Sequence, residues 1–263
     1  MLARQRQEVI LEETRRTGAV RVSELVSRLG VSDMTIRRDL DALAGRGLVE
    51  KVYGGATSVR LPGFDGSAAG ESSRGHRTRL QSIAATAARR VRPGSAIGMS
   101  GSAATRALAR ALSHVENLTV VTNSLRVADI LGGTPRQDRD VVLTGGIRTQ
   151  SDALVGPVAV QTLRGLHLDF VFVGVHGMAE GPGFTVPDLS EREADRALIE
   201  AGRRLVVLAD HTRFNAVSLA TVATLAEADV LVSDDGLRDQ ARRVLSAHVG
   251  ELVLAPGPIG SDE

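Results

Sequence analysis

From about Leu80 onward, short apolar runs alternate with stretches of helical periodicity, and no other feature restricts the fold as much. The runs are AIGM (96–99), LTVVT (118–122), VVLT (141–144), FVFVGV (170–175), LVVLA (205–209), VLVS (230–233) and ELVLA (251–255). Helical patterns fill gaps at 104–112, 124–131, 157–164 and 190–202. A nearly unbroken apolar run marks a strand buried on both faces, and helical crossovers make such strands parallel. The expected class is α/β, with a Rossmann-like, largely parallel sheet covered by helices. Ligands of such sheets sit at the C-terminal strand ends, near a switch in strand order.

Four of those strand ends are small polar loops. They supply Ser100, Gly101, Ser102 and Thr105 after the first run, Thr122, Asn123 and Ser124 after the second, Thr144, Gly145 and Gly146 after the third, and Asp210 and Arg213 after LVVLA. Such loops offer backbone N–H groups and hydroxyls, and a helix N-terminus behind them favours an anion, so a phosphate or carboxylate is the natural guest. Gly and Ser also make plain turns; four polar loops on one sheet edge favour the ligand-binding reading.

The first 57 residues follow other rules. Leu2, Val9 and Ile10 begin a helical pattern that runs to about Arg16 and stops at Gly18; Val22–Leu29 is a second helix, ended by Gly30. Ser32 is placed to cap a third, in which Ile36, Leu40 and Leu43 mark the buried side. Met34, Arg38 and Asp41 then face outward, flanked by Thr35 and Arg37. LVEKVYGGA (48–56) reads as a β-ribbon turning near Gly54-Gly55. Three helices and a ribbon make a winged helix-turn-helix, whose third helix enters the major groove of double-stranded DNA. Ser32, Met34, Thr35, Arg37 and Arg38 are the candidate reading residues, with Lys51, Tyr53, Gly54 and Gly55 in the wing. An ordinary amphipathic helix with a solvated face is the simpler alternative, and it leaves the adjoining ribbon unexplained. Residues 58–79, rich in Gly and Ser and without periodicity, read as a linker, leaving 80–256 as an α/β domain for effector sensing and oligomerisation.

Charge agrees without deciding. Residues 1–60 hold 11 Lys+Arg against 8 Asp+Glu, a balance of +3 in a chain of net charge +1. No cysteine is present, which excludes disulfides, a thiol nucleophile and Cys-type zinc sites. The charged N-terminus has no apolar signal-peptide core, and no run of membrane-spanning length occurs, so a cytoplasmic protein is expected. Catalysis gains little support. Asp169, Asp188 and Asp210 could exchange protons, yet no nucleophile elbow, phosphate-binding Walker loop or paired-His metal motif appears. The histidines at 76, 114, 167, 176, 211 and 248 lack metal-ligand spacing, and only His176 and His211 follow strands at the ligand edge. Asp234-Asp235-Gly236 reads as a turn leading into a helix. Neither a cofactor nor a metal is expected.

Residues 4–56, with VSDMTIRRDLDAL followed by GGA, resemble the helix-turn-helix of the DeoR family of bacterial repressors. The resemblance implies that Arg37 and Arg38 contact DNA and that Lys51–Gly55 is the wing. The order of loops over about 80–235, with TNS, TGG, Gly156, Asp169 and a Gly183-Phe184-Thr185 turn, is similar to the family's sensor domain, which has a ribose-5-phosphate-isomerase-like fold and binds phosphorylated sugars. Three departures stand out: Ser100-Gly101-Ser102-Ala103-Ala104 replaces an Asp-x-Gly-Thr-Thr type loop, and Asp195 and Arg213 occupy common lysine positions. Arg213, helped by Arg196, can still clamp an anion; Asp195 cannot. The implied protein is a sugar-gene repressor, dimeric or tetrameric, released by a small phosphorylated effector. The alternatives are a DNA-binding head on a ligand-free oligomerisation domain and a sugar-phosphate-isomerase-like enzyme.

Overall fold

In the first sixty residues, apolar spacing and one cap produce a three-helix unit. The computed structural model describes residues 3–17, 19–46, 48–52, 55–58, 73–133 and 138–257, in two units, Met1–Glu71 and Ser72–Glu263. The smaller contains α1 (Ala3–Thr17), β1 (Ala19–Arg21), α2 (Val22–Leu29), α3 (Asp33–Gly45), β2 (Val49–Val52) and β3 (Gly55–Ser58). Gly30, at φ 65°, ends α2 in the left-handed conformation that glycine adopts freely. Ser32 is extended, and its hydroxyl oxygen accepts the Thr35 N–H at 3.3 Å, which starts α3. Ile10, Leu25, Ile36, Leu40, Leu43 and Val49 close the core. The strands form an antiparallel sheet ordered β1-β3-β2, β1 being too short to announce itself by periodicity.

The larger unit runs α4 (Ser73–Ala88), β4 (Ala96–Met99), α5 (Ala103–Ala111), β5 (Leu118–Thr122), α6 (Leu125–Gly132), β6 (Arg139–Leu143), β7 (Ile147–Arg148), β8 (Leu154–Val155), α7 (Pro157–Leu163), β9 (Phe170–Gly174), β10 (Gly177–Ala179), β11 (Gly183–Val186), α8 (Leu189–Glu200), β12 (Leu205–Leu208), β13 (Ala220–Ala223), β14 (Val230–Asp234), α9 (Asp239–His248) and β15 (Leu252–Ala255). Seven strands form one parallel sheet, β15-β14-β12-β9-β4-β5-β6. Counted within the sheet, this is 7-6-5-4-1-2-3, the doubly wound order, with its switch between β4 and β9. Strand alternation separates two cores. Val171, Val173, Leu205 and Val207 pack with α8 and α9 residues, while Phe172, Val206 and Leu208 pack with α4 and α5 residues. Each such side chain, fully buried, contributes about 1.5–3 kcal/mol.

Three sequence expectations need correction. Residues 73–79, assigned to the linker, form the first turns of α4, which Leu80, Ile83, Ala84 and Ala87 bury against the sheet. Those turns lack apolar periodicity because their inward side chains meet polar strand ends. The Gly183-Phe184-Thr185 turn is strand, in a small antiparallel sheet β10-β11-β13 that buries Phe184 completely. Asp234, read as a turn residue, ends β14 with 1% of its surface exposed.

Candidate functional site

The exposed face of α3 follows from its buried face. With Ile36, Leu40 and Leu43 inward, Met34 is 63% exposed, and Arg37 and Arg38 are exposed beside it. Arg37 Nε lies 2.5 Å from Asp33 Oδ1, four residues earlier, so one guanidinium is already oriented along the helix. Thr35 is half-buried, with its hydroxyl 2.9 Å from that of Ser32. Lys51 lies on β2 and Gly55 on β3, the two strands of the ribbon; Tyr53 and Gly54 lie outside the described residues. Asp39 was not singled out as functional, although it falls on the apolar stripe, three residues after Ile36. It is buried, with Arg6 Nε at 2.5 Å and Gln7 Nε2 donating at 3.0 Å, and so fixes α3 to α1.

In the larger unit the loops after β4, β5 and β6 adjoin one another. Thr122 donates its hydroxyl proton to the Met99 carbonyl (2.7 Å), Thr144 N–H donates to the Thr122 carbonyl (3.2 Å), and a Cβ on Gly101 would lie 3.5 Å from Ser124 Cβ. Gly145 and Gly146 sit at φ 69° and 116°, and a Cβ on Gly146 would approach the Val155 carbonyl oxygen to 2.4 Å, so only glycine makes this turn. Most hydroxyls here are engaged within the loops. Ser102 and Thr105 form a reciprocal capping box at the start of α5, Thr105 also donates to the Ser100 carbonyl, Ser124 caps α6, and Ser100 Oγ accepts the Gly174 N–H. The α5 first-turn amides of Ala103 and Ala104 have no intrahelical acceptor and lie at the switch between β4 and β9. Ala103 and Ala104 therefore subtract side-chain donors where backbone donors remain.

Asp195, on α8, is 6% exposed and accepts from Asn123 Nδ2 at 3.3 Å. Burial, reinforced by Glu191 one turn earlier, pushes its carboxyl up to about 7.

Asp210 and Arg213 stand farther along the same sheet edge, in a second polar group. His76 Nδ1 is 3.1 Å from Asp210 Oδ2, His211 Nδ1 is 2.6 Å from Asp234 Oδ2, and Arg79 Nε is 4.0 Å from that same Asp234 oxygen. Burial alone would raise the Asp210 carboxyl, but the His76 ring 3.1 Å away, the bonds from Thr212 and the Arg213 charge hold it well below the usual range. Asp234 also accepts the backbone N–H groups of His211 and Gly236, which explains why a residue read as part of a turn is buried. His76 shares the α4 stripe of Leu80 and Ile83, a signal the linker assignment overrode.

Other candidates are placed elsewhere. Asp169 accepts the Ala96 N–H near where the strands begin, Asp188 caps α8, and Arg196 pairs with Glu200 and Glu227. A cavity of about 240 Å³ between His167–Asp169 and Glu200–Arg203 also lies at the N-terminal end of β9, away from these loops. Among the described residues no cluster suits a metal ion, and no helix is long and apolar enough to cross a membrane.

A DeoR-like helix-turn-helix domain matches residues 6–60 and the DeoR C-terminal sensor domain matches residues 76–235. The chain belongs to the DeoR family. It is a DNA-binding transcriptional regulator with an N-terminal reading unit and a C-terminal sensor domain. The uncharacterized transcriptional regulator YgbI of Escherichia coli is 34% identical over 97% of this chain and 99% of its own length. The glycerol-3-phosphate regulon repressor of Escherichia coli is 29% identical over 95% and 98%, and the regulator GolR of Listeria innocua 32% identical over 88% and 90%. These DeoR-family relatives are regulators, so the acid–base reading of the aspartates is set aside. Ribose 5-phosphate isomerase A of Methanocaldococcus jannaschii shows a slight structural likeness (TM-score 0.38, 13% identity, 51% of this chain and 53% of that one), too small to carry an argument.

Proposed function

We propose that this DeoR-family regulator is a cytoplasmic repressor of carbohydrate or polyol-phosphate genes that leaves its operator when a small phosphorylated metabolite binds the sensor sheet edge. The observation that carries this reading is the exposed Met34–Arg37–Arg38 face on a capped helix, joined in one chain to a doubly wound sheet with polar loops at its switch point. Arg37 and Arg38 make bidentate contacts to guanine or phosphate, Ser32, Met34 and Thr35 approach bases and backbone, and the Lys51–Gly55 ribbon follows the adjacent backbone. A homodimer or homotetramer sets two such helices on half-sites separated by whole helical turns. The effector's anion meets the α5 first-turn amides, supported by Ser100–Thr105, Thr122, Ser124, Thr144–Gly146 and, from the second polar group, Arg213, while Asn123 and Asp210 face the effector's hydrogen-bond donors. Relatives named for the glycerol-3-phosphate regulon and the aga operon support the metabolite class.

The test is binding of the purified protein to its own upstream DNA at two salt concentrations, with and without sugar phosphates. Tight binding that weakens steeply with salt and is released by one phosphate compound is the expected result. A ligand-free oligomerisation domain is the second reading, favoured by the hydroxyls already engaged as caps; binding indifferent to every compound would select it.

A further inference from the structure

Two acceptors buried at the end of β5 are short of donors. Asn123 is 1% exposed, and its Oδ1 has no hydrogen-bond partner among the described residues. Asp195, 6% exposed, has one hydrogen bond there, the 3.3 Å contact from Asn123 Nδ2. Folded proteins rarely leave buried acceptors unmet, and a carboxylate ordinarily accepts several bonds.

The charge around this corner is negative. Glu191, one turn before Asp195 on α8, accepts from Thr149 and Ser151 of the loop between β7 and β8. The nearby cations of that loop's surroundings, Arg126 and Arg148, are both bonded to Asp152. An anion brought here would meet two carboxyl groups and an unpaired carbonyl oxygen.

We infer that Asn123 and Asp195 form the specificity end of the ligand site and take a hydrogen-bond-donating, non-anionic group, a hydroxyl or an ammonium. This rests on the sensor reading above and adds an orientation to it: the ligand's anion lies toward the α5 N-terminus and its donor end toward α8. The raised carboxyl of Asp195 fits a group awaiting a donor, since a bound donor stabilises the ionised form and a bound anion does not.

The test compares phosphorylated compounds matched in size but differing at the far end, titrated calorimetrically into the full-length protein. The probes are glycerol 3-phosphate against 3-phosphoglycerate, and glucose 6-phosphate and glucosamine 6-phosphate against 6-phosphogluconate. At least tenfold tighter binding of a hydroxyl- or ammonium-ended compound than of its carboxylate-ended partner supports the inference, and the two donor compounds show which source is used. Asp195→Asn should reduce that preference to threefold or less, and Asp195→Lys should reverse it, each variant being checked by its melting profile. If Asp195→Lys does not fold, Asp195→Asn and Asn123→Ala carry the comparison. Equal or tighter binding of a carboxylate-ended compound overturns the inference and leaves the sensor reading standing, as does an unchanged preference in folded Asp195→Asn. Failure of every compound to bind the wild type overturns both.

Discussion

Helix α3 and the C-terminal sheet edge treat polar side chains in opposite ways. On α3, Met34, Arg37 and Arg38 project into solvent, and a buried polar cluster, Arg6–Asp39–Gln7, lies on the opposite side of the helix. At the sheet edge Ser100, Thr105, Thr122, Asn123, Ser124, Asp195, Asp210 and Asp234 are buried, and most are bonded to one another or to the backbone. The difference fits the partners proposed for the two regions. DNA is a large polyanion, and a surface that binds it needs charges that reach outward. A small ligand is enclosed, so its site must satisfy its own groups before the ligand arrives and leave only a few unmet.

This contrast can be broken at several points. The largest effect is expected at Asp39: Asp39→Ala removes the buried carboxylate that Arg6 and Gln7 share and should cost the small unit about 3–5 kcal/mol, read in urea unfolding of the full chain. Removing both outward arginines, Arg37→Ala with Arg38→Ala, should weaken specific operator binding about 100-fold and lower the salt slope by about 2, with melting unchanged. Retained specific binding would mean that α3 is not the reading helix.

Asp195→Asn probes the enclosed side. The unfolded carboxyl titrates near 3.8 and the folded one at about 7. Between those values the folded chain holds more protons than the unfolded, so wild-type stability falls as pH rises through this window and levels off above it. An amide does not titrate, so the variant should be more stable than wild type at pH 8 by up to about 4 kcal/mol, and the gain should vanish near pH 4. The smallest effect is expected at the cap, where Ser32→Ala should cost about 1 kcal/mol and weaken DNA binding only in proportion.

How far the sequence announces each region depends on what each needs. The inner parallel strands and α3 were legible because burial on two faces gives an unbroken apolar run and burial on one helical face gives a period, while the edge strands β6 and β15 carry apolar runs without full burial. Residues 73–79 were not legible as helix, because the side chains that approach the sheet, His76 and Arg79, meet polar strand ends, and the pattern mimics a solvated linker. The polar loops were visible as loops, but the division of labour within them was not. Nothing in the string SGS says that Ser102 is occupied by Thr105, or that Asn123 keeps an unpaired oxygen. Asp234 looked like a turn residue because only its bond from the Gly236 N–H is local, and its other partner, His211, comes from a segment that meets it only in the tertiary structure.

Helix α4 has a consequence for timing. Its residue 76 is tied to Asp210 only four positions after the larger unit begins, and Arg79, one turn on, faces Asp234. A ligand group that bonds Asp210 competes with His76 for Oδ2, and the amides of the α4 turn around His76 should then exchange with solvent sooner than they do without ligand. Hydrogen exchange at the start of the unit would then report occupancy of its far strand ends.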